Sequence, residues 1–310
     1  MQYEYALQRV KGIKKSYDNA QSMKIMQYKD NRIFDFYTTT EVFEIFTSTE
    51  GMTGAKELSS AETPPTLEMQ DGYSVQISER RWGGAIELLE HEYRREANDA
   101  TLKVDMALKR KRNQLLVSNT NLFLTEVFKF LNFAFATTYY AAPDTKAFIA
   151  DDHTWKSGTT FDNKTTAALS EAAVDAAVEA GGAMVDSAGV PMPVNFDTII
   201  VKKGSANARL AKRLFASGIS PIAVADINIY EGEFTIIETP YITSANKAYW
   251  FMYDSKDPNG NPLKVGIGEM PTLREPIKQN NEAIRTNCTG FYKLGITNMP
   301  YSWYGSDGTT

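Results

Sequence analysis

No glycine or proline occurs between Ala85 and Pro143. These two residues end helices most readily, so this stretch is the part of the chain most free to form a long one. Within it Leu102, Met106, Leu108, Leu115, Leu116, Leu122 and Phe123 recur at helical spacing, with gaps, and supply an apolar face. Asn98 or Asp99 can cap the start by accepting a hydrogen bond from an unpaired backbone N–H. The spacing predicts a helix over about 99–132, on the order of 50 Å long at 1.5 Å per residue. Ser118-Asn119-Thr120-Asn121 is where it would kink or break. Lys109-Arg110-Lys111-Arg112 points around most of the helical circumference. That favours a solvated stretch with local ion pairs over one basic stripe.

What precedes the helix packs poorly on itself. The first 40 or so residues carry Lys11, Lys14, Lys15, Lys24 and Lys29 among scattered aromatics. A frayed terminus is one reading. Ile33, Phe34, Phe36 and Tyr37 are too apolar for a free tail, which favours an arm lying along a partner. Residues 42–49 are β-branched and aromatic and read as a strand. Tyr73, Val75 and Ile77 alternate with polar residues and read as a second. Between them runs a polar excursion with Gly51, Gly54, Pro64, Pro65 and Gly72, longer than compact domains tolerate without a task. Two strands alone are marginal in water. A protruding hairpin therefore needs support, and a neighbouring subunit is the simplest source; an ordinary hairpin with a surface loop is the alternative. At its base Arg80, Arg81 and Trp82 combine charge with an aromatic ring, a composition common at interfaces. A plain core role for Trp82 is the alternative. Gly83-Gly84 allows a bend, and Ile86, Leu88, Leu89 and Glu90 fit either a strand or the start of a helix.

Beyond Pro143 strands and helices mix. Ala167 to Met184 is alanine-rich and reads as a helix, and Ala206 to Ala216 as another. Thr198 to Val201, Phe234 to Ile237, Ala248 to Tyr253 and Arg285 to Ile296 read as strands, the last being the final strand region. Asp257 to Asn261 is a turn. This order indicates an α+β sheet domain.

The chain offers little for catalysis. It has two histidines, His91 and His153, and one cysteine, Cys288, which excludes an intrachain disulfide and fits a reducing compartment. His91 lies in a charge run. Asp151-Asp152-His153 has no second histidine nearby, and a zinc site wants three or four ligands; a structural loop accounts for it better. A soluble hydrolase using His153 with Asp151 or Asp152 is the enzymatic alternative. Phosphate-cradling and dinucleotide-binding glycine motifs are missing. Asp257 to Asn261 starts like a calcium loop, but its glycine comes early and no acid closes it. No catalytic, cofactor-binding or metal residue is expected. The net charge of −5 argues against a chain built to grip nucleic acid. No apolar run approaches the roughly 20 residues that span a bilayer. Asn163-Lys164-Thr165 and Asn287-Cys288-Thr289 carry no weight without a secretory route.

From about 148 onward a set of runs in fixed order resembles a known family. They are Phe148-Ile149, His153-Thr154-Trp155, then Leu169-Ser170-Glu171 opening the alanine helix. Asp186, Gly189 and Pro191 lead into Phe196 to Val201, and Asn207-Ala208-Arg209-Leu210 starts the next helix. Glu231-Gly232-Glu233-Phe234, Pro240-Tyr241, Trp250-Phe251 and Arg285 to Gly295 complete the series. The chain resembles the major capsid proteins of tailed bacteriophages, above all the Mu-like major head subunits with the Hong Kong 97-type fold.

The resemblance implies an N-terminal arm over 1–45, an extended loop over 46–90 and a peripheral domain with a spine helix over 91–164. It further implies an axial domain over 165–280 and strands over 281–310 that return to the peripheral domain. The expected function is a major head protein that self-assembles into an icosahedral shell around double-stranded DNA. Expected partners are the chain itself in pentamers and hexamers, a portal protein, and packaged DNA by weak non-specific contact, with no membrane. A separate scaffolding protein is expected, because only about 40 residues precede the first strand. The expected location is the virion, assembled in the host bacterial cytoplasm. An encapsulin, a cellular compartment on the same fold, is the alternative. Some relatives join subunits through a Lys–Asn isopeptide bond. Lys56 is a conceivable donor here and Asn287 or Asn298 a conceivable partner, but the sequence identifies no buried carboxylate beside them. Lys56, Arg80, Arg81 and Trp82 are the expected subunit-interface residues.

Overall fold

The structure, a computed structural model, describes residues 33–52, 58, 63, 64, 66, 69–90, 100–216 and 230–309. In chain order the strands and helices begin with β1 (Asp35–Thr38), β2 (Phe43–Met52), β3 (Met69–Ser78), β4 (Arg80–Leu88), α1 (Ala100–Val127) and α2 (Lys129–Asn132). Next come β5 (His153–Thr154), β6 (Thr160–Phe161), β7 (Lys164–Thr165), α3 (Glu171–Gly182), β8 (Thr198–Lys202) and α4 (Ala206–Phe215). The last are β9 (Thr235–Thr239), β10 (Trp250–Tyr253), β11 (Leu263–Leu273), β12 (Ile277–Lys278), β13 (Ile284–Ile296) and β14 (Trp303–Ser306). The chain divides by contact into two compact units that cut across chain order.

The first unit takes the described part of Met1–Glu44 with Ile77–Val127 and Val265–Leu294. Its sheet runs β1-β11-β13-β12, with β4 also pairing β13. Strand β4 alternates. Trp82, Ile86 and Leu88 point inward while Arg81, Gly83 and Ala85 point out, as the period of two requires. The inward face receives α1 through Leu115 and Leu116, which join Ile86, Leu273 and Cys288 in one apolar cluster. The strand reading of 86–88 is thus the correct one, and Ile33 and Phe34 are buried rather than free. No break occurs at Ser118–Asn121. Thr120 donates its hydroxyl hydrogen to the Leu116 carbonyl at 2.7 Å, and the Asn119 amide reaches Cys288 Sγ at 3.4 Å. With both polar groups satisfied, nothing forces the helix open. It ends short of the expected 132, because Phe128 leaves the helix and stacks on Tyr241 at 5.3 Å. In the basic run Lys109 and Arg110 are exposed, Lys111 bonds the Glu87 carbonyl at 2.8 Å and Arg112 bonds Asn113.

Gly83 shows why the glycine pair is there. Its φ is +154°, and a Cβ would sit 2.0 Å from the Cys288 carbonyl oxygen on the paired strand. Gly83→Ala is expected to cost about 2–3 kcal/mol through strain and the broken pairing. Urea unfolding of the subunit measures it; a cost below about 0.5 kcal/mol would mean that β4 has a different path there.

The second unit takes Ile45–Gln76, Phe128–Lys264 and Gly295–Thr310. Its sheet runs β7-β14-β10-β8-β9. Strand β10 pairs antiparallel with both β14 and β8, and β9 lies parallel to β8. Strand β10, Trp250–Tyr253, is buried on both faces, so it shows no alternation. Ser170 caps α3 by accepting from Ala173 N, and Ser205 caps α4 by accepting from Ala208 N. Ala173, Val174 and Ala177 of α3 and Ala208, Ala211 and Leu214 of α4 join Ile199, Val201 and Trp250 in the core. Strand β14 lies beyond the expected final strand region. Its Trp303 is fully buried and stacks on Tyr253 at 4.6 Å.

The hairpin of β2 and β3 is supported within the chain, which corrects the expectation that it needs a neighbour. Glu50 accepts from Lys156 N at 3.1 Å, Lys156 Nζ donates to the Gly72 carbonyl, and the Tyr73 hydroxyl donates to the Thr154 carbonyl. Tyr73 also packs on the core of the second unit. A sheet of only two strands gains from these contacts the burial it lacks alone.

Candidate functional site

Of the four expected interface residues, three lie among the described residues. Lys56 lies outside the described residues, as do Asn98, Asp99, His91 and the lysines from Lys11 to Lys29. Arg80 and Arg81 are exposed on β4. Arg81 borders a shallow depression of 480 Å³ with Gly83, Gly84, Arg285 and Thr289. Trp82 is 4% exposed. It packs on Phe123 at 4.6 Å and Tyr292 at 5.6 Å, and its Nε1 has no hydrogen-bond partner among the described residues. This burial matches the core alternative for Trp82. The ring turns inward because its position in β4 has the same parity as Ile86 and Leu88.

Exposed apolar surface lies elsewhere. Val42, Phe43 and Ile45, at the start of β2, are 68%, 56% and 63% exposed. Three large apolar side chains left in water within four residues mark an interaction surface rather than scattered surface residues.

His153 is not a catalytic base. It is fully buried, its Nδ1 lies 2.8 Å from Asp144 Oδ2, and its Nε2 lies 3.3 Å from the Phe148 carbonyl oxygen. Its ring stacks on Phe161 at 5.0 Å. Asp151 and Asp152, the partners the hydrolase reading required, are exposed and face Lys164 and Lys146. Neither can activate His153, and substrate cannot reach a ring with no exposed surface. Asp144 was missed because nothing in its local sequence marks it; the turn from 144 to 154 brings it to the ring. Asn163, in one of the two N-x-T triplets, is likewise fully buried. It bonds Ala150 N, the Phe148 carbonyl and the Pro300 carbonyl.

The first unit holds a second buried ionic group. Lys293 is 1% exposed, with Nζ 3.0 Å from Glu44 Oε1 and 3.2 Å from Thr39 Oγ1. Burial by itself would raise the Glu44 carboxyl. Hydrogen bonds from Thr39, Tyr37 and Lys293, with the lysine charge, hold it below the usual range instead. Burial and Glu44 together push the Tyr37 phenol up. This is a structural ion pair, satisfied from several sides. Of the two candidate cross-linking asparagines, Asn287 is exposed beside Arg285. Asn298 lines a cavity that also contains Glu50, a carboxylate 3% exposed. Among the described residues no cluster of three or more His, Cys, Asp or Glu could hold a metal ion. No described helix is long and apolar enough to cross a membrane.

No family model matches the chain, and no curated protein matches it. Solved structures do, over nearly its whole length. A chain of Mycobacterium phage Bobi is 12% identical, with a TM-score of 0.52 and a match covering 91% of this chain and 89% of that one. A chain of Gordonia phage Cozz is 11% identical, with a TM-score of 0.51 over 88% of this chain and 84% of that one. A chain from the capsid of an empty GTA particle with C5 symmetry is 12% identical, with a TM-score of 0.50 over 89% and 88%. At such identities the likeness speaks to fold. The chain has the α+β Hong Kong 97-type fold.

Proposed function

We propose that this chain is the major capsid protein of a tailed phage or prophage, a subunit that assembles itself into an icosahedral shell around double-stranded DNA. The observation that carries this reading is the fold shared with a chain of the GTA particle capsid over 89% of the present chain. The exposed apolar start of β2 supports it, since a shell subunit must keep adhesive surface for its neighbours. The role is structural rather than enzymatic. Identical subunits making heterologous contacts close into rings, here pentamers and hexamers, and rings tile a shell. Many modest contacts then hold the particle by avidity. In this reading 1–45 is the arm, 46–90 the extended loop, 91–164 the peripheral domain with α1 as its spine, and 165–280 the axial domain. Residues 281–310 return to the periphery. A separate scaffolding protein guides closure and a portal protein occupies one vertex. The net charge of −5 fits weak contact with packaged DNA, and the product resides in the virion.

Sedimentation and negative-stain electron microscopy, with and without the neighbouring gene products, test this. Rings of five or six subunits, or closed shells, are expected; a compact monomer under every condition overturns it. The triple variant Val42→Ser, Phe43→Ser, Ile45→Ser should lower particle yield about tenfold, the loss of roughly 1.4 kcal/mol per contact surface. The unassembled subunit should unfold as before, because the three side chains are already in water.

A further inference from the structure

In the second unit a cavity of 350 Å³ lies beside the end of β2. Glu50 and Asp186 supply carboxylates to it, and Trp155, Tyr301, Met192 and Met299 supply apolar wall. Glu50 is 3% exposed, and among the described residues both its oxygens share a single donor, Lys156 N, at 3.1 Å. Asp186 Oδ1 accepts from Ala188 N and Val190 N at 2.8 Å. Its Oδ2 lies against Gly51, close enough that a Cβ there would sit 2.2 Å away. Among the described residues no lysine or arginine nitrogen lies within ion-pair distance of either carboxylate. The neighbouring Lys156 Nζ is turned to the Gly72 carbonyl at 3.1 Å. Trp155, 4% exposed, lines the same cavity, and its buried Nε1 has no partner among the described residues.

A carboxylate taken from water with one donor is costly unless a cation joins it. An indole N–H buried without an acceptor adds a second unmet demand. The walls set the shape of what would answer both. Thioether and aromatic surface suits an alkyl stem, an indole face attracts a cation, and the carboxylates take the charged head. A bare metal ion would leave the Met192, Met299 and Trp155 walls unused.

We propose that this cavity seats a basic side chain, lysine or arginine, from a second copy of the chain. The head pairs with Glu50 and Asp186, and a carbonyl of the entering segment accepts from Trp155 Nε1. The proposal rests on the shell-forming reading, which brings further copies, each with 33 lysines and arginines, against this one.

Two measurements on the full chain test the cavity and the second copy separately. N-acetyl-lysine methylamide and N-acetyl-arginine methylamide are titrated into unassembled subunit while indole fluorescence is followed. Saturable binding of one of them is expected, weakened about tenfold in Glu50→Gln and in Trp155→Phe. No saturable binding, or equal binding by Glu50→Gln, overturns the proposal whether or not shells form. In the second experiment photo-methionine replaces methionine in a mixture of isotopically heavy and light copies under assembly conditions. Met192 or Met299 should capture a lysine- or arginine-bearing peptide of the other isotope. Capture only within one copy, or of peptides without a basic residue, overturns the second-copy assignment while the shell reading stands. Wild-type chains that form no particle at all sink the shell reading and the second-copy assignment together, and the titration then decides the cavity alone.

Discussion

Trp82→Ala is expected to unfold the first unit more easily by about 3–5 kcal/mol, the cost of truncating a buried tryptophan. The ring is 4% exposed and meets Phe123 and Tyr292 in tilted and edge-on contact. Aromatic contacts of this kind add to what burial alone provides. Its truncation opens a cavity between β4, α1 and β13, and Gly290 has no side chain to fill it. Trp82→Phe is the informative comparison. Trp82 Nε1 has no partner among the described residues, so no hydrogen bond to them is lost, and the cost should be only roughly 1–2 kcal/mol. Urea unfolding of unassembled subunit, beside particle yield, measures both variants. If Trp82→Ala unfolds like the wild type yet makes no particles, the ring belongs to an interface after all.

His153→Ala is expected to cost the second unit about 3 kcal/mol, from leaving the buried Asp144 short of a hydrogen-bond partner and opening a cavity beside Phe161. Asp144 would keep bonds from Thr154 N at 3.1 Å and Lys146 N at 3.3 Å but lose its closest partner. The pH dependence gives a sharper signature. Burial pushes the Asp144 carboxyl up, yet the hydrogen bond and charge of His153 and the two backbone donors outweigh it and hold the carboxyl below the usual range. A carboxyl depressed in the folded state stabilises the fold above its unfolded pKa, about 3.9. That contribution is lost as pH falls through the lower, folded value. The wild type should therefore weaken below about pH 4, with Asp144 contributing part of the loss. In His153→Ala the depression shrinks, so that part becomes smaller and is complete at a higher pH. Stability measured from pH 6 to pH 3 separates the two. A variant with wild-type stability and an altered hydrolytic activity would restore the enzyme reading of His153.

Much of this architecture was legible in the chain. The glycine- and proline-free stretch became a 28-residue helix, and Ser170 and Ser205 sit where helix starts were expected. The runs 198–201 and 285–296 fall in strands β8 and β13, and the last four residues of 248–253 form β10, because β-branched and aromatic residues favour extended backbone. Less of the candidate site was legible. Asp144, Glu44 and Glu50 are ordinary acids in their local sequence. They become special only through partners that folding brings to them: His153 across a turn for Asp144, and the distant Lys293 for Glu44 and Lys156 with the Trp155 cavity for Glu50.

Local sequence determined which elements form and, at Ser170 and Ser205, where helices begin, because capping and hydrophobic period act within a few residues. It also set the inward parity of Trp82, although parity alone cannot say which face of β4 will be covered. The tertiary structure decided that, by laying α1 on the Trp82 face and leaving Arg81 and Gly83 open. It also decided that the hairpin rests on its own chain, and that one acid gains a lysine while another is buried with no cation among the described residues. Those outcomes depend on which distant segments share a dielectric environment, and burial, unlike propensity, is a property of the whole fold.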